Sequence, residues 1–311
     1  MLFNYYYSKL NKADKTIYNE CLQGIRKQKG KVTVSGIPSN YLLECLSNDH
    51  PELFYCDFSH VRITTNIYGK QVATFNYIYS GKERFDIEKR LKEIIDSFNY
   101  IDEEQFCRTV HNFIVRNTRY DEREKNGYYD VSNHTLIGPL LNHIGVCSGI
   151  SKAFKYILDS RKIDCCLAIG TCGNEPHCWN VVNINGYNYH VDVTNDLQEG
   201  KDRFKKPFYF YYLVTDSEIK KINTTTENFN CVQTQDNPFY KSNRVFKNNY
   251  EIDNYLRSLR FRDRTFYFKY IGTMTPDELQ RYVLYNLPTR LMPGVVWFSH
   301  DASNKIFYFK I

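Results

Sequence analysis

Three residues of this 311-residue chain have the types and order for nucleophilic chemistry: Cys147, His177 and Asp192. A thiol attacks as its thiolate, so it needs a lowered pKa, a base within hydrogen-bond reach and a third group that orients the base. Cys147 sits in Gly145-Val146-Cys147-Ser148-Gly149, where a helix is predicted to start and run to Asp159. The unpaired N–H groups and the positive end of the helix dipole favour a thiolate there. The same N–H groups, that of Cys147 included, can hold an oxyanion. Gly145 and Ser148 on this turn, and Trp179 and Asn180 beyond the histidine, are the supporting candidates.

His177 and Asp192 must be brought together by strands. Residues 178–184 and 187–193 alternate as strands do, and Asn185-Gly186 between them is a strong hairpin signal. With 185 and 186 as the turn, His177 faces position 194, two past Asp192. Residues two apart on a strand share a face, so Asp192 is a diagonal neighbour of His177. That placement lets Asp192 hold one ring nitrogen and leaves the other for Cys147.

The remaining elements frame this pair of motifs. Helical spacing marks 14–27, 41–46, 87–98 and 103–115; strand patterns mark 61–68 with 71–80, 164–170 and 208–214. Further on, helices are predicted over 252–259 and 275–287, and strands over 265–271, 295–300 and 305–311. Thr275-Pro276-Asp277-Glu278 carries a Thr N-cap, Pro at the first helical position and acids in the first turn. The polar stretch 223–248 reads as loop or linker. Three regions follow: an N-terminal α+β segment (1–84), a core (85–225), and a linker with a small C-terminal α+β domain (226–311).

Three motifs in order carry a family resemblance. The run 145–154, GVCSGISKAF, resembles the nucleophile motif of the transglutaminase-like superfamily. His177-Cys178-Trp179 resembles its His-x-Trp strand, and Asp192-Val193-Thr194 its Asp-x-Thr strand. The run 110–121, ending in Tyr120-Asp121, is similar to the segment that precedes the cysteine in bacterial members, and 49–55 to part of an N-terminal extension. The resemblance covers roughly 1–225. It implies an α+β, papain-like core with a nucleophile-bearing helix packed on an antiparallel sheet. It implies Cys147 as nucleophile, His177 as general base and then acid, and Asp192 as the orienting group. The reaction implied is acyl transfer from a peptide or protein amide through a thioester. Hydrolysis is the favoured outcome, with transamidation and a non-catalytic peptide-binding scaffold as alternatives. Asn195 departs from the family, which often has Trp there, as do Ile137 and Pro139 in place of Tyr and Ala. The sequence identifies no side-chain oxyanion donor.

Composition bounds the rest. The chain is 42% hydrophobic and 24% charged, within the range of globular proteins. A net charge of +6 is mild at this length, and the basic runs 25–31 and 201–206 are short and broken, so no nucleic-acid partner is expected. The N-terminus has no charged-then-apolar signal pattern and no stretch spans a bilayer, which predicts a cytoplasmic protein with no membrane partner. The ten cysteines form no disulfide framework. Cys165, Cys166, Cys172 and Cys178, near His177, have spacing unlike a zinc site, and Asp192 with Asp196 offers too few carboxylates for calcium. No metal or cofactor is expected. His111, His134, His143 and His190 have no partner at local spacing. The sequence sets no oligomeric state.

Overall fold

A computed structural model describes residues 2–197, 207–260, 262–291 and 297–311. The basic run at 201–206 and the first two residues of the strand expected over 295–300 lie outside the described residues. The first elements are helices α1 (Tyr5–Lys9) and α2 (Lys12–Arg26), strand β1 (Lys31–Val34), helix α3 (Asn40–Asp49) and strands β2 (Cys56–Thr65) and β3 (Gln71–Tyr77). β2 and β3 form the expected antiparallel hairpin, and β1 adds to the other edge of β3. Helices α4 (Gly81–Asp96) and α5 (Glu103–Asn117) follow. Ser80 and Glu83 make a full capping box at the start of α4, satisfying two orphan donors of its first turn.

The centre of the molecule is built next. Strands β4 (Arg119–Tyr120) and β5 (Ile144–Gly145) pair in parallel and deliver the chain to α6 (Cys147–Asp159). Strands β6 (Cys165–Cys172), β7 (Glu175–Ile184), β8 (Tyr187–Val191) and β9 (Tyr212–Val214) form an antiparallel sheet. Helix α7 (Asp216–Ile219) leads to β10 (Asn223–Thr224), which closes the far edge; the order is β10-β6-β7-β8-β9.

Helix α6 lies on this sheet because one face is apolar. Ile150, Ala153, Phe154, Ile157 and Leu158 recur at helical spacing, and all are fully buried. Lys155 is also buried, but its ammonium reaches the carbonyl of Cys165 at 2.9 Å and the carboxylate of Asp159 at 3.0 Å. Gly149 lets the helix start approach its neighbour closely, because a Cβ there would run into the Asn133 carbonyl.

The C-terminal part comprises α8 (Pro238–Lys241), β11 (Val245–Phe246), α9 (Asn249–Ser258), β12 (Thr265–Tyr270), α10 (Pro276–Asn286), β13 (Trp297–Asp301) and β14 (Ile306–Lys310). Its sheet order is β11-β12-β14-β13. One buried apolar cluster runs from Leu2 to Phe239 and takes in Ile306 and Tyr308. A second gathers Phe246, Ile252, Leu256, Phe266, Phe268, Leu279, Val283 and Phe309. The stretch 223–248 departs from the expected loop: it carries β10, α8 and β11, and buries Phe229, Cys231 and Phe239. Its polar composition hid this, because its few apolar side chains have no regular period. The strand expected over 208–214 shortens to Tyr212–Val214. Among the described residues, no helix is long and apolar enough to cross a membrane.

Candidate active site

The turn that presents Cys147 is held from two sides. The backbone N–H of Asp121 donates to Gly145 O at 3.0 Å, and that of Val146 donates to Asn133 O at 3.1 Å. Asn133 in turn donates to the buried Asp121 carboxylate at 2.6 Å. Cys147 is the first residue of α6, and no side chain caps this end. Its first-turn N–H groups therefore stay available to a ligand or a charge. Cys147 is half-buried, so its thiol can be reached.

The β7–β8 hairpin sets the other two residues. Asn185 and Gly186 take φ of 53° and 86°, the left-handed pair that a two-residue hairpin turn needs. Ile184 pairs with Tyr187 and Asn180 with Val191, the register read from the turn. The ladder ends there, and the chain continues to Asp192. His177 Nε2 lies 2.8 Å from Asp192 Oδ2. This leaves Nδ1 as the ring nitrogen that can serve the thiol, and the Cys147 thiolate in turn favours a charged ring.

Asp192 is fully buried and held by more than the histidine. Asn223 donates to Oδ2 at 2.8 Å and Asn195 to the same oxygen at 2.7 Å. The Asn195 backbone N–H donates to Oδ1 at 3.0 Å. Burial by itself would raise this carboxyl, but His177, Asn223 and Asn195 outweigh it and hold the pKa below the ordinary value.

The same competition charges the other two groups. The Cys178 thiol, the His177 ring and the Cys178 backbone favour the Cys147 thiolate; together they outweigh burial and lower its pKa to about 4. Burial pulls His177 down, but the Asp192 carboxylate and the Cys147 thiolate raise it to about 10. Between those values the site holds a thiolate–imidazolium pair. Other thiols behave oppositely: burial pushes Cys21, Cys56 and Cys107 up to about 12 and Cys165 well above its usual range.

The supporting candidates divide. Trp179 is buried, and its ring stacks on His177 with centroids 5.9 Å apart and planes 19° apart. Its indole N–H donates to His190 Nδ1 at 2.9 Å, and His190 Nε2 meets Asp216 at 2.8 Å. Asn180 faces the helix rather than the cleft, donating to Ser151 O at 3.0 Å and so tying α6 to β7. Gly145 allows Pro139 to pack against the β5 backbone. The Ser148 hydroxyl, next in the chain to Cys147, lies 3.2 Å from His134 Nδ1.

Several partners were invisible at local spacing. His111 Nε2 meets Asp196 at 2.9 Å, both fully buried, and fastens α5 to the segment just past Asp192. His190 pairs with Trp179 and Asp216 as above. His190, Asp216 and Cys231 have potential metal-ligand atoms within 4.8 Å of one another. Both His190 ring nitrogens and both Asp216 oxygens already hold hydrogen bonds within the protein, so the cluster reads as a network. Tyr120 pairs with Gly145, two residues before the thiol, and Cys178 meets Ser151 one turn beyond it on α6. Tyr120 was legible only as part of a motif and Cys178 as one thiol among ten; neither has a local signal for its place.

The chain matches no family profile and no curated protein. Among solved structures it is similar to a TGase crystal structure at 14% identity, with a TM-score of 0.34, over 46% of this chain and 45% of that one. It is also similar to a candidate cysteine protease from Cytophaga hutchinsonii at 10% identity, with a TM-score of 0.28, over 43% of this chain and 61% of that one. The chain thus spans less than two thirds of the length of either protein. The fold is α+β, with the thiol on a helix and the imidazole on an antiparallel sheet.

Proposed function

We propose that this chain is a thiol acyl-transfer enzyme acting on an amide of a peptide or protein. The observation that carries this reading is a half-buried Cys147 at the uncapped start of α6, charge-linked to a His177 ring that is held 2.8 Å from the buried Asp192. The thiolate attacks the amide carbonyl carbon, a C–S bond forms, and the carbonyl electron pair moves to oxygen. The Cys147 N–H at the open helix start receives that oxyanion. Tyr120 supplies the side-chain donor. It pairs with Gly145 across β4–β5, two residues before Cys147, its ring is half-buried, and burial raises its pKa so that the hydroxyl keeps its proton. Among the described residues its hydroxyl has no hydrogen-bond acceptor, so the O–H is free to donate.

His177 then protonates the amine, the C–N bond breaks and a thioester remains. A water molecule deprotonated by His177 attacks the thioester and returns the thiolate. Water is the favoured acceptor because it is abundant, whereas an amine needs a bound position and exclusion of water. The ten free thiols fit a reducing compartment.

The test is mass spectrometry of host proteins incubated with wild type and with Cys147→Ala. Cleavages, deamidation mass shifts or cross-links present only with wild type support the reading and name the acceptor. Identical products from both proteins overturn it.

A further inference from the structure

A second carboxylate–imidazole–hydroxyl chain ends on Ser148 and uses residues that the thiol chemistry leaves idle. His134 Nδ1 lies 3.2 Å from the Ser148 hydroxyl, and His134 Nε2 lies 2.7 Å from Glu124 Oε1. The first site has the same order, with His177 Nε2 turned to its carboxylate. The Glu124–His134 contact is one of charge rather than an aligned hydrogen bond, and both atoms are shielded from water, where charge acts strongly. With a carboxylate at Nε2, the neutral ring keeps its proton there and offers Nδ1 as acceptor. The Tyr129 ring stacks on the imidazole with centroids 4.8 Å apart, which limits its tilt.

The backbone is fastened to match. Arg123 forks onto the Asp121 carboxylate at 2.7 and 2.8 Å, and Asn133 donates to the same group, so the turn of Glu124 is joined to the turn of His134. The Val146 N–H donates to Asn133 O, and the Lys152 ammonium, one helical turn beyond Ser148, donates to His134 O at 3.3 Å. His134 is thus tied to the start of α6 at two points. Ser148, His134 and Glu124 are each half-buried, so the hydroxyl can be reached. Ser148 also belongs to the uncapped first turn, whose N–H groups can receive a negative oxygen. A nucleophile, a base within reach and a group behind the base are the three parts that an activated serine needs.

We infer that Ser148, His134 and Glu124 form a second nucleophilic triad, which cleaves carboxylic esters through an acyl-serine. His134 Nδ1 takes the Ser148 proton as the serine oxygen attacks the ester carbon; a C–O bond forms and the carbonyl electron pair moves to oxygen. Glu124 stabilises the imidazolium. The electron pair returns, the bond to the alkoxy oxygen breaks, and the imidazolium gives that oxygen its proton, so an alcohol leaves. Water, deprotonated by His134, attacks the acyl-serine; the carboxylic acid departs and Ser148 regains its proton. Ester and water have become acid and alcohol. Esters are the substrate class because an alcohol leaves more easily than an amine, and the Glu124 contact is looser than that of Asp192. The inference needs no thiol and does not rest on the acyl-transfer reading of Cys147.

The experiment uses a fluorophosphonate, whose phosphorus is attacked by an activated serine oxygen with loss of fluoride. The full chain is labelled and digested, and fragmentation in the mass spectrometer separates Ser148 from Cys147. The expected result is a phosphonyl group on Ser148, with excess p-nitrophenyl acetate protecting that residue. His134→Gln keeps a polar side chain but no base, and labelling should slow by about 10²-fold or more. Iodoacetamide alkylation of Cys147 should keep its rate in this variant, which shows that the start of α6 is intact. The inference is overturned if wild-type Ser148 stays unlabelled, if the ester gives no protection, or if His134→Gln labels as fast as wild type. An unactivated serine is inert to the reagent, so the wild-type arm decides even if the variant folds poorly.

Discussion

Asn223 and His177 meet the same atom: each places a nitrogen 2.8 Å from Oδ2 of Asp192. Asn195 brings a third donor to that oxygen at 2.7 Å. The carboxylate is fully buried, and a buried charge is tolerated only when its lone pairs are filled. The two asparagines let Asp192 stay ionised while one oxygen holds the imidazole. Asn223 belongs to β10 at the far edge of the sheet, so the edge strand is part of the site.

Replacing Asn223 with Ala removes one donor and loosens the carboxylate. The expected loss in kcat/KM is roughly tenfold or more, in line with about 1.5–3 kcal/mol for a hydrogen bond to a charged group. The pKa of Asp192 rises, because Asn223 lowers it. Steady-state kinetics on whichever substrate the proteomic comparison yields reads the loss; an unchanged kcat/KM means Asn195 and His177 suffice.

The charge pair predicts a pH profile that needs no substrate. Thiolate is the reacting form, so Cys147 alkylation by iodoacetamide should be flat at neutral pH and fall as pH drops through about 4. In His177→Ala the imidazolium is gone while burial and the Cys178 contribution remain, so the midpoint moves up from that value. Labelling at Cys147, followed by mass spectrometry across pH, measures both. A wild-type midpoint near that of a free thiol would rule out the pair.

Asp192→Asn keeps the shape and removes the charge. His177, raised to about 10 chiefly against burial by this carboxylate, should titrate lower, so activity is lost at a lower pH on the alkaline side. A loss of up to about 10⁴-fold in kcat is expected where an orienting carboxylate becomes an amide. The pH dependence of kcat/KM separates the two effects.

Tyr120→Phe tests the oxyanion donor. A lost donor costs about 10²–10³ in kcat with KM little changed, because the charge on oxygen exists only after attack. Iodoacetamide labelling of Cys147 has no oxyanion and should keep its rate. Equal loss in both assays would instead place Tyr120 in control of the thiol.

Asn180→Ala tests the support beneath the site. It removes a side-chain donor from Ser151 O, which keeps its partner within α6, so the cost is about 0.5–1.5 kcal/mol. A lowered midpoint in urea unfolding is the expected outcome. No change would mean that the apolar face of α6 alone fixes the helix on the sheet.

The amino-acid order by itself determined what depends on neighbours a few residues away. The period of Ile150, Ala153, Phe154, Ile157 and Leu158 defines α6 from Cys147 to Asp159, and Asn185-Gly186 sets a hairpin register that carries Asp192 toward His177. These are local because helix and turn conformations are decided by side-chain spacing and by the φ each residue tolerates. The partners that tune the site were decided by the tertiary structure. Asn223 lies 31 residues beyond Asp192, and His111 lies 85 residues before Asp196. Cys178 meets Ser151 only because α6 packs on β7. A short polar side chain carries no periodic signal of its own. Whether it faces water or fills the last lone pair of a buried carboxylate is settled only when distant segments close around it.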